Sequence, residues 1–141
     1  QFNVPMGSYT NPQILVEDVL RNASEALQGA SIEVRDFREV VSLAQSGDFF
    51  YFDPPYDPLS KTASFTGYTS NDFGDADQHD LAEVFKQLHN KGCRCMLSNS
   101  STPFVRELYQ GFTIKTVQAR RAVNSNGNGR GNIEEFVVLN Y

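Results

Sequence analysis

One stretch decides the fold of this 141-residue chain: Asp48-Phe49-Phe50-Tyr51-Phe52-Asp53-Pro54-Pro55-Tyr56. Its run of aromatic residues leaves no polar face, which predicts a β-strand buried on both sides of an α/β sheet. The two prolines cannot continue that strand, and they hold the preceding Asp53 in an extended conformation. We therefore expect Asp53 at the carboxyl end of an interior strand, where open α/β sheets bind their ligands.

The groups at this corner suit an amino group on an aromatic base. The carboxylate of Asp53 and the carbonyl of Pro54 can each accept one N–H, while the ring of Tyr56 stacks on the base. Two acceptors draw electron density toward the nitrogen and free its lone pair for attack on a methyl sulfonium. The same residues are also compatible with a strand that ends in an ordinary proline-rich turn.

Composition places the chain among globular proteins. It is 40% hydrophobic and 21% charged, and its length suffices for one domain with its own core. No apolar run approaches the roughly 18 residues of a membrane span, and no secretion leader is visible. Cys93 and Cys95 point to the same side of a predicted strand, which disfavours a mutual disulfide and favours buried thiols in a reducing cytosol.

Charge is distributed unevenly along the chain. The net charge of −5 disfavours a nucleic-acid partner. Residues 1–60 carry 3 basic and 9 acidic side chains, whereas residues 61–141 carry 9 basic and 8 acidic. Residues 115–130 hold basic side chains and no acidic ones, so a basic strip lies within an acidic chain.

The remaining pattern predicts alternating helices and strands. We expect helices over residues 11–29, 37–46, 77–92 and 102–111, and strands over 31–36, 49–52, 93–98, 112–119 and 133–139. This order predicts a mostly parallel sheet that ends in an antiparallel hairpin, with its tip at residues 124–131. The long polar stretch 57–76 is typical of a lid or binding loop.

The chain resembles the Dam-type (class alpha) DNA adenine-N6 methyltransferases, specifically their carboxyl-terminal half. The residues that match are Phe2-Asn3-Val4-Pro5, Gly7, Tyr9, Asp36-Phe37, Asp53-Pro54-Pro55-Tyr56, Pro58, Ser60, Thr62, Phe65, Tyr68, Ser98-Asn99, Arg121, Asn124, Arg130 and Glu135. Asp-Pro-Pro-Tyr is only moderately specific by itself, but it becomes strong when joined to the Phe-Asn-Val-Pro opening and to Phe-Thr-Gly-Tyr at residues 65–68.

The resemblance implies a Rossmann-like S-adenosylmethionine-dependent methyltransferase fold, with a mostly parallel sheet and an antiparallel C-terminal β-hairpin. It implies S-adenosylmethionine as the methyl donor and an adenine flipped out of double-stranded DNA as the acceptor. It also implies a prokaryotic or phage-type cytoplasmic enzyme without a membrane segment. A cognate restriction endonuclease is left open as a further partner.

The same resemblance assigns roles to individual residues. The catalytic residues would be Asp53, Pro54, Pro55 and Tyr56. The donor-binding residues would be Asp36, Phe37 and Asp53. The DNA-binding residues would be Ser60, Lys61, Thr62, Phe65, Tyr68, Arg121, Asn124 and Arg130. No metal site is expected.

The sequence departs from the family in its donor-binding half. The resemblance makes residues 1–10 the tail of a target-recognition region and 11–141 the C-terminal part of the catalytic domain. The family's glycine-rich donor motif would lie upstream, and residues 126–129 do not replace it because they follow no first strand and open no helix. We therefore expect the N-terminal part of the fold to be missing and these 141 residues alone to be inactive.

Two alternatives remain open. One is an amino-methyltransferase acting on RNA or protein glutamine, although the protein-glutamine enzymes favour asparagine where Asp53 stands. The other is a catalytically incomplete fragment or DNA-binding partner subunit. We interpret His79 and His89 as surface residues, and Asn99 as either a capping or a site residue. The acids within residues 72–80 are more typical of helix capping than of a metal loop.

Overall fold

The computed structural model describes residues 15–59, 73–120 and 132–141. The chain divides into two compact units, Gln1–Val34 and Arg35–Tyr141. The second unit contains the sheet and the Asp-Pro-Pro-Tyr motif.

In the first unit, the described residues form one helix, α1 (Glu17–Ala26), followed by a 3-10 turn, Leu27–Gly29. Acidic residues in its first turn interact favourably with the positive end of the helix dipole, and Arg21 pairs with Glu17 one turn away. The helix begins later than predicted, because Val16 is the N-cap and is not helical. The predicted start of this helix, at residue 11, lies outside the described residues.

The strand predicted over residues 31–36 is wrong. None of these residues pairs with a strand in the described part of the chain. A strand exists only where a neighbour completes its hydrogen-bond ladder. The alternation of Ile32 and Val34 indicates a local preference, and it does not provide that neighbour.

The second unit alternates helices and strands, as predicted. Its elements are a 3-10 turn Phe37–Glu39 that continues into α2 (Val40–Leu43), β1 (Phe49–Phe52), α3 (Asp75–Asn90), β2 (Arg94–Ser100), α4 (Pro103–Leu108), β3 (Thr113–Arg120) and β4 (Asn132–Leu139). The helices and strands predicted between residues 37 and 139 are therefore confirmed, with ends shifted by a few residues. Most of the predicted long loop and all of the predicted hairpin tip lie outside the described residues.

Local capping explains where α3 and α4 begin. The carboxylate of Asp77 accepts a hydrogen bond from the N–H of Gly74 (3.1 Å), so Asp77 is the third residue of α3 and not its cap. In α4, the hydroxyl of Thr102 accepts from the N–H of Val105 (3.2 Å), and Pro103 follows at the first helical position.

The four described strands form one sheet in the order β1-β2-β4-β3. β1 and β2 are parallel, whereas β4 lies between β2 and β3 and is antiparallel to both. The predicted antiparallel hairpin is thus confirmed. The described strands do not confirm the prediction of a mostly parallel sheet. Only β1 and β2 are parallel to each other, and β4 is antiparallel to both of its neighbours.

The prediction that β1 is buried on both faces is wrong for the described structure. Phe50 and Phe52 pack against the core, whereas Phe49 and Tyr51 are 57% and 54% exposed. β1 is an edge strand of the described sheet, and alternate side chains of a strand point to opposite faces. The aromatic composition of β1 therefore predicted that both faces of the strand are covered, whereas the described residues cover only one.

The core lies between the covered face of the sheet and helices α3 and α4. Leu81, Phe85 and Leu88 form the apolar stripe of α3, and all three are at most 2% exposed. The ring of Phe85 is surrounded by other aromatic rings, with centroids 4.9 Å away at Phe112 and 5.3 Å away at Tyr109. Edge-to-face contacts of this kind stabilise the helix on the sheet.

Both cysteines are buried free thiols, as predicted. The thiol of Cys93 donates to the carbonyl of Gln45 at 3.2 Å. Burial raises the pKa of Cys95 to about 11, so neither geometry nor ionisation favours a reactive thiolate there.

Across the described ranges, no helix is both long enough and apolar enough to span a membrane. Within those same ranges, no three His, Cys, Asp or Glu side chains are grouped to hold a metal ion.

The hydroxyl of Tyr109 is fully buried and has no hydrogen-bond partner in the part of the chain that the structure describes. A hydroxyl in that position keeps its desolvation cost. We therefore expect Tyr109→Phe to raise the free energy of unfolding at pH 7 by about 1–3 kcal/mol, measured by urea denaturation.

Tyr51→Phe is the matched control, because the hydroxyl of Tyr51 is bonded to Ser98 at 3.0 Å and its removal offers no such gain. Burial also raises the pKa of Tyr109 above its usual 10.0. The contribution of this protonated hydroxyl to the free energy of unfolding is complete below pH 10 and is lost as the pH rises further. Tyr109→Phe should therefore reduce the fall in the free energy of unfolding at alkaline pH. An unchanged denaturation midpoint at pH 7 would contradict the assignment.

Candidate active site

The parallel pairing of β1 and β2 places Asp53 beside Ser98. Phe52 pairs with Leu97, and the next residue of each strand is Asp53 or Ser98. The hydroxyl of Ser98 donates to Oδ1 of the exposed Asp53 at 2.8 Å. The predicted position of Asp53 at the carboxyl end of a strand is confirmed, but in the described sheet that strand lies at the edge and not in the interior.

A directed chain of hydrogen bonds fixes the Asp53 carboxylate. The hydroxyls of Tyr51 and Ser98 are 3.0 Å apart. Because Ser98 has one hydroxyl hydrogen and gives it to Asp53, Tyr51 must donate to Ser98. The Oδ1 atom is therefore oriented by the protein, while Oδ2 has no hydrogen-bond partner among the described residues and is free to accept from a ligand.

Tyr56 is half-buried next to this carboxylate. Its hydroxyl lies 3.4 Å from Oε2 of Glu135 on β4, a long hydrogen bond. Burial is the main cause of the raised pKa of Tyr56, and the nearby Glu135 and Asp53 carboxylates raise it further. The phenol therefore stays protonated at neutral pH, and its outer edge is attached to the sheet.

Two buried amide side chains hold the backbone that follows Pro54. Nε2 of Gln78 donates to the carbonyl of Pro55 at 2.9 Å, and Oδ1 of Asn99 accepts from the N–H of Asp57 at 2.9 Å. Asn99 therefore holds the loop after Pro55 and does not cap α4, whose cap is Thr102, and its site role stays a prediction. Gln78 was missed, although a polar residue in the apolar stripe of α3, three residues before Leu81, was a usable signal.

Two of the three residues predicted to bind the methyl donor, Asp36 and Phe37, lie in a separate cluster around Arg38. Asp36 caps the 3-10 turn by accepting from the N–H of Arg38 at 2.9 Å. The Arg38 guanidinium contacts the carboxylates of Asp36, Asp77 and Asp80 at 2.7–3.1 Å. It also lies 4.4 Å from the centre of the Phe37 ring. The segment before β1 is in this way tied to the first turns of α3.

The first turn of α3 connects this cluster to the Asp53 corner. Asp77 binds Arg38 and the next residue, Gln78, binds the Pro55 carbonyl. The Asp53 carboxylate is close enough to Tyr56 to contribute to its raised pKa. Helix α3 links the Arg38 cluster, which includes Phe37, to this corner.

The other predicted residues divide into two groups. The predicted DNA-binding residues Ser60, Lys61, Thr62, Phe65, Tyr68, Arg121, Asn124 and Arg130 all lie outside the described residues and stay predictions. The interpretation of His79 and His89 as surface residues is confirmed, since both are exposed and pack edge-on against Phe104 and Phe112.

Comparisons with known proteins point to one family. The profile of the D12 class N6 adenine-specific DNA methyltransferases matches residues 1–123. A type II methyltransferase, M1.LlaDCHI of Lactococcus lactis subsp. cremoris, is 48% identical over 100% of this chain and 50% of its own length. The type II methyltransferase M.MjaIII of Methanocaldococcus jannaschii is 46% identical over the same shares.

A DNA adenine methylase of Vibrio cholerae is 39% identical over 98% of this chain and 50% of its own length. The chain thus spans about half the length of the curated relatives it matches.

The hydrogen bonds of Arg38 predict how the carboxyl groups of Asp36 and Asp77 titrate in acid. The side-chain hydrogen bond from Arg38 is the main cause of the lowered pKa of Asp77, whereas the backbone N–H of Arg38 is the main cause at Asp36. Arg38→Gln keeps that backbone N–H. We therefore expect the pKa of Asp77 to rise toward 3.8 and that of Asp36 to rise less, in a carboxyl NMR titration.

Arg94→Gln is the control, because the Arg94 guanidinium lies over the Tyr141 ring. Both pKa values are lowered by folding, so the stability they provide is present above pH 3.8 and is lost as the pH falls through the folded values. Arg38→Gln should weaken this acid dependence. An unmoved pKa at Asp77 would show that the ion pair does not persist in solution.

Proposed function

The chain belongs to the family of D12 class N6 adenine-specific DNA methyltransferases, and from that premise we propose that the whole protein methylates the exocyclic amino nitrogen of adenine in double-stranded DNA. One observation carries the proposal: Asp53 stands exposed at the carboxyl end of β1, with Oδ1 held by Ser98 and Oδ2 open among the described residues. This is the orientation needed to accept an amino N–H.

Each group of the corner has a distinct task in the proposed reaction. Oδ2 of Asp53 and the carbonyl of Pro54 accept the two N–H groups of adenine, and the ring of Tyr56 stacks on the base. The nitrogen lone pair is then directed at the incoming methyl carbon. Because the nitrogen becomes acidic as the carbon–nitrogen bond forms, no strong base is needed beforehand, and Asp53 is placed to receive the proton.

The supporting residues keep this arrangement rigid. Ser98 and Tyr51 prevent the carboxylate of Asp53 from rotating, and Glu135 restrains the outer edge of Tyr56. Orientation of this kind lowers the barrier because the reacting groups lose less freedom during the reaction.

We further propose S-adenosylmethionine as the methyl donor, held in part by Asp36, Phe37 and Asp53. The donor supplies a methyl group on a positively charged sulfur. The chemistry of the residues fits such a group, since Asp53 offers a carboxylate to the cation and the half-buried Phe37 offers an apolar ring face to an adenine. The Asp36 carboxylate is already engaged by Arg38, which makes it the least available of the three.

The wider assignments follow the family. We propose a Rossmann-like methyltransferase fold for the whole protein, with residues 1–10 as the tail of a target-recognition region and 11–141 as the C-terminal part of the catalytic domain. Residues within 60–68 and 121–130 would contact DNA. A prokaryotic cytoplasm is the proposed location, and the names of two relatives as type II methyltransferases support a cognate restriction endonuclease as partner.

The test is methyl transfer by the protein in its full natural length. We expect labelled methyl from S-adenosylmethionine to appear as N6-methyladenine in duplex DNA. Asp53→Asn should lower the single-turnover rate about 100-fold or more, because an amide cannot take up the proton or its charge. The measurement is rapid-quench transfer with saturating DNA and donor.

Asp48→Asn is the matched control at the opposite end of the same strand, where the carboxylate accepts only from the N–H of Gln45 among the described residues. It should leave the rate unchanged. A folded, donor-binding protein that transfers no methyl to DNA would overturn the proposal and would favour an RNA or protein acceptor. Equal rates for the parent and Asp53→Asn would remove Asp53 from the reaction.

A further inference from the structure

We infer that Gln78 and Asn99 form an amide clamp that aims the carbonyl of Pro54, and that both are positioning residues for methyl transfer. The inference rests on the proposed function, since it concerns the backbone acceptor of the adenine amino group. Neither side chain is expected to touch the base itself.

The clamp is a closed path of hydrogen bonds around the loop. Gln78 donates to the carbonyl of Pro55 at 2.9 Å and accepts through Oε1 from Nδ2 of Asn99 at 3.1 Å. Asn99 in turn accepts the N–H of Asp57 at 2.9 Å. The path therefore holds the two backbone groups that flank Tyr56.

Chemistry permits only one orientation of these two amides. Oδ1 of Asn99 accepts from two backbone donors, the N–H groups of Asp57 and Ser100. A flipped Asn99 would present N–H to N–H there. Its Nδ2 must then face Oε1 of Gln78, which leaves Nε2 of Gln78 for the Pro55 carbonyl. No hydroxyl or ionisable side chain takes part, so the clamp does not change with ordinary pH.

The two prolines explain why the loop needs an external clamp. Neither Pro54 nor Pro55 has an N–H, so the loop cannot hold itself by donating from these positions. The proline rings restrict φ, and Pro55 also confines ψ of Pro54 to the extended region, about +120° to +160°, within which other contacts set its value. The direction of the Pro54 carbonyl depends on that ψ, and it is determined only if the chain is held on both sides.

Both sides are held. Before Pro54, the carboxylate of Asp53 is bonded to Ser98 on β2. After Pro54, the Pro55 carbonyl is bonded to Gln78 on α3, and Asp57 is bonded to Asn99 on β2.

Burial makes this clamp specific. Gln78 is 3% exposed and Asn99 is 0% exposed, although both are polar. Buried amides must be satisfied internally, and their hydrogen bonds are stronger in surroundings of low dielectric constant. An apolar side chain in the stripe of α3 would pack equally well there. The polar choice at Gln78 is thus explained by the carbonyl that it holds.

The decisive variant is Gln78→Glu in the full-length protein. A carboxylate at this position still accepts from Asn99 but places an acceptor against the Pro55 carbonyl. We expect the single-turnover rate of methyl transfer to fall about 10-fold to 100-fold. The dissociation constant for S-adenosylmethionine should stay within about twofold of the parent value, since the donor residues are untouched.

Gln87→Glu is the matched control. Gln87 is exposed on the same helix and bonds only to Glu83 among the described residues. The change in charge is identical, so an equal loss in both variants would overturn the inference. Gln78→Met is the second variant, which avoids a buried charge. It should lower the thermal midpoint, because Nδ2 of Asn99 loses its acceptor, and well below that midpoint it should show the same kinetic loss as Gln78→Glu.

Hydrogen exchange tests the clamp without relying on activity. Both Gln78 variants should speed exchange at the amide of Asp57 about 10-fold or more, and Gln87→Glu should not. Faster exchange in a protein that methylates no DNA would uphold the clamp and refute the proposed function. Unchanged exchange at Asp57, or parental rates of transfer in Gln78→Met, would refute the clamp itself.

Discussion

The parallel pairing of β1 with β2 is the constraint on which the rest of the structure depends. Because Phe52 is opposite Leu97, the two strands end side by side, and Asp53 meets Ser98. An antiparallel arrangement would have sent these ends in opposite directions. The residue after Ser98, Asn99, is then in place to hold the loop that the prolines create, because its Oδ1 accepts a hydrogen bond from the N–H of Asp57. A single strand register thus positions both the carboxylate and its supporting loop.

Helix α3 links the stability of the fold to the geometry of the site. Leu81, Phe85 and Leu88 pack its apolar stripe against the sheet. Gln78 extends that stripe by one turn toward the helix N-terminus, where the core gives way to the Asp-Pro-Pro-Tyr loop. The hydrophobic packing that anchors the helix therefore also sets how far Gln78 reaches. A shift of α3 along the sheet would move the loop carbonyls with it.

The charged cluster at the start of α3 extends this connection to the segment before β1. Arg38 is shared by carboxylates of the 3-10 turn and of the helix, and all of them are partly exposed. Exposed ion pairs stabilise weakly and are screened by salt, so we regard the cluster as fixing relative position more than as adding stability. Asp77 and Gln78 are neighbours in sequence. Asp36 and Phe37, which we propose to bind the methyl donor, and the Asp-Pro-Pro-Tyr loop, which we propose to bind the adenine, are consequently attached to the same turn of α3.

The sequence by itself determined the order of helices and strands from residue 37 onward, the C-terminal hairpin and the place of Asp53 at a strand end. These features depend on local periodicity, on glycine and proline positions and on capping residues, all of which can be read along the chain. Only the tertiary structure decided that residues 31–36 pair with no described strand, that β1 has one exposed face, and that Gln78 and Asn99 hold the loop. Each of those depends on which distant segment lies alongside. A hydrogen bond between residues 23 positions apart, such as that from Gln78 to Pro55, leaves no periodic trace in the sequence.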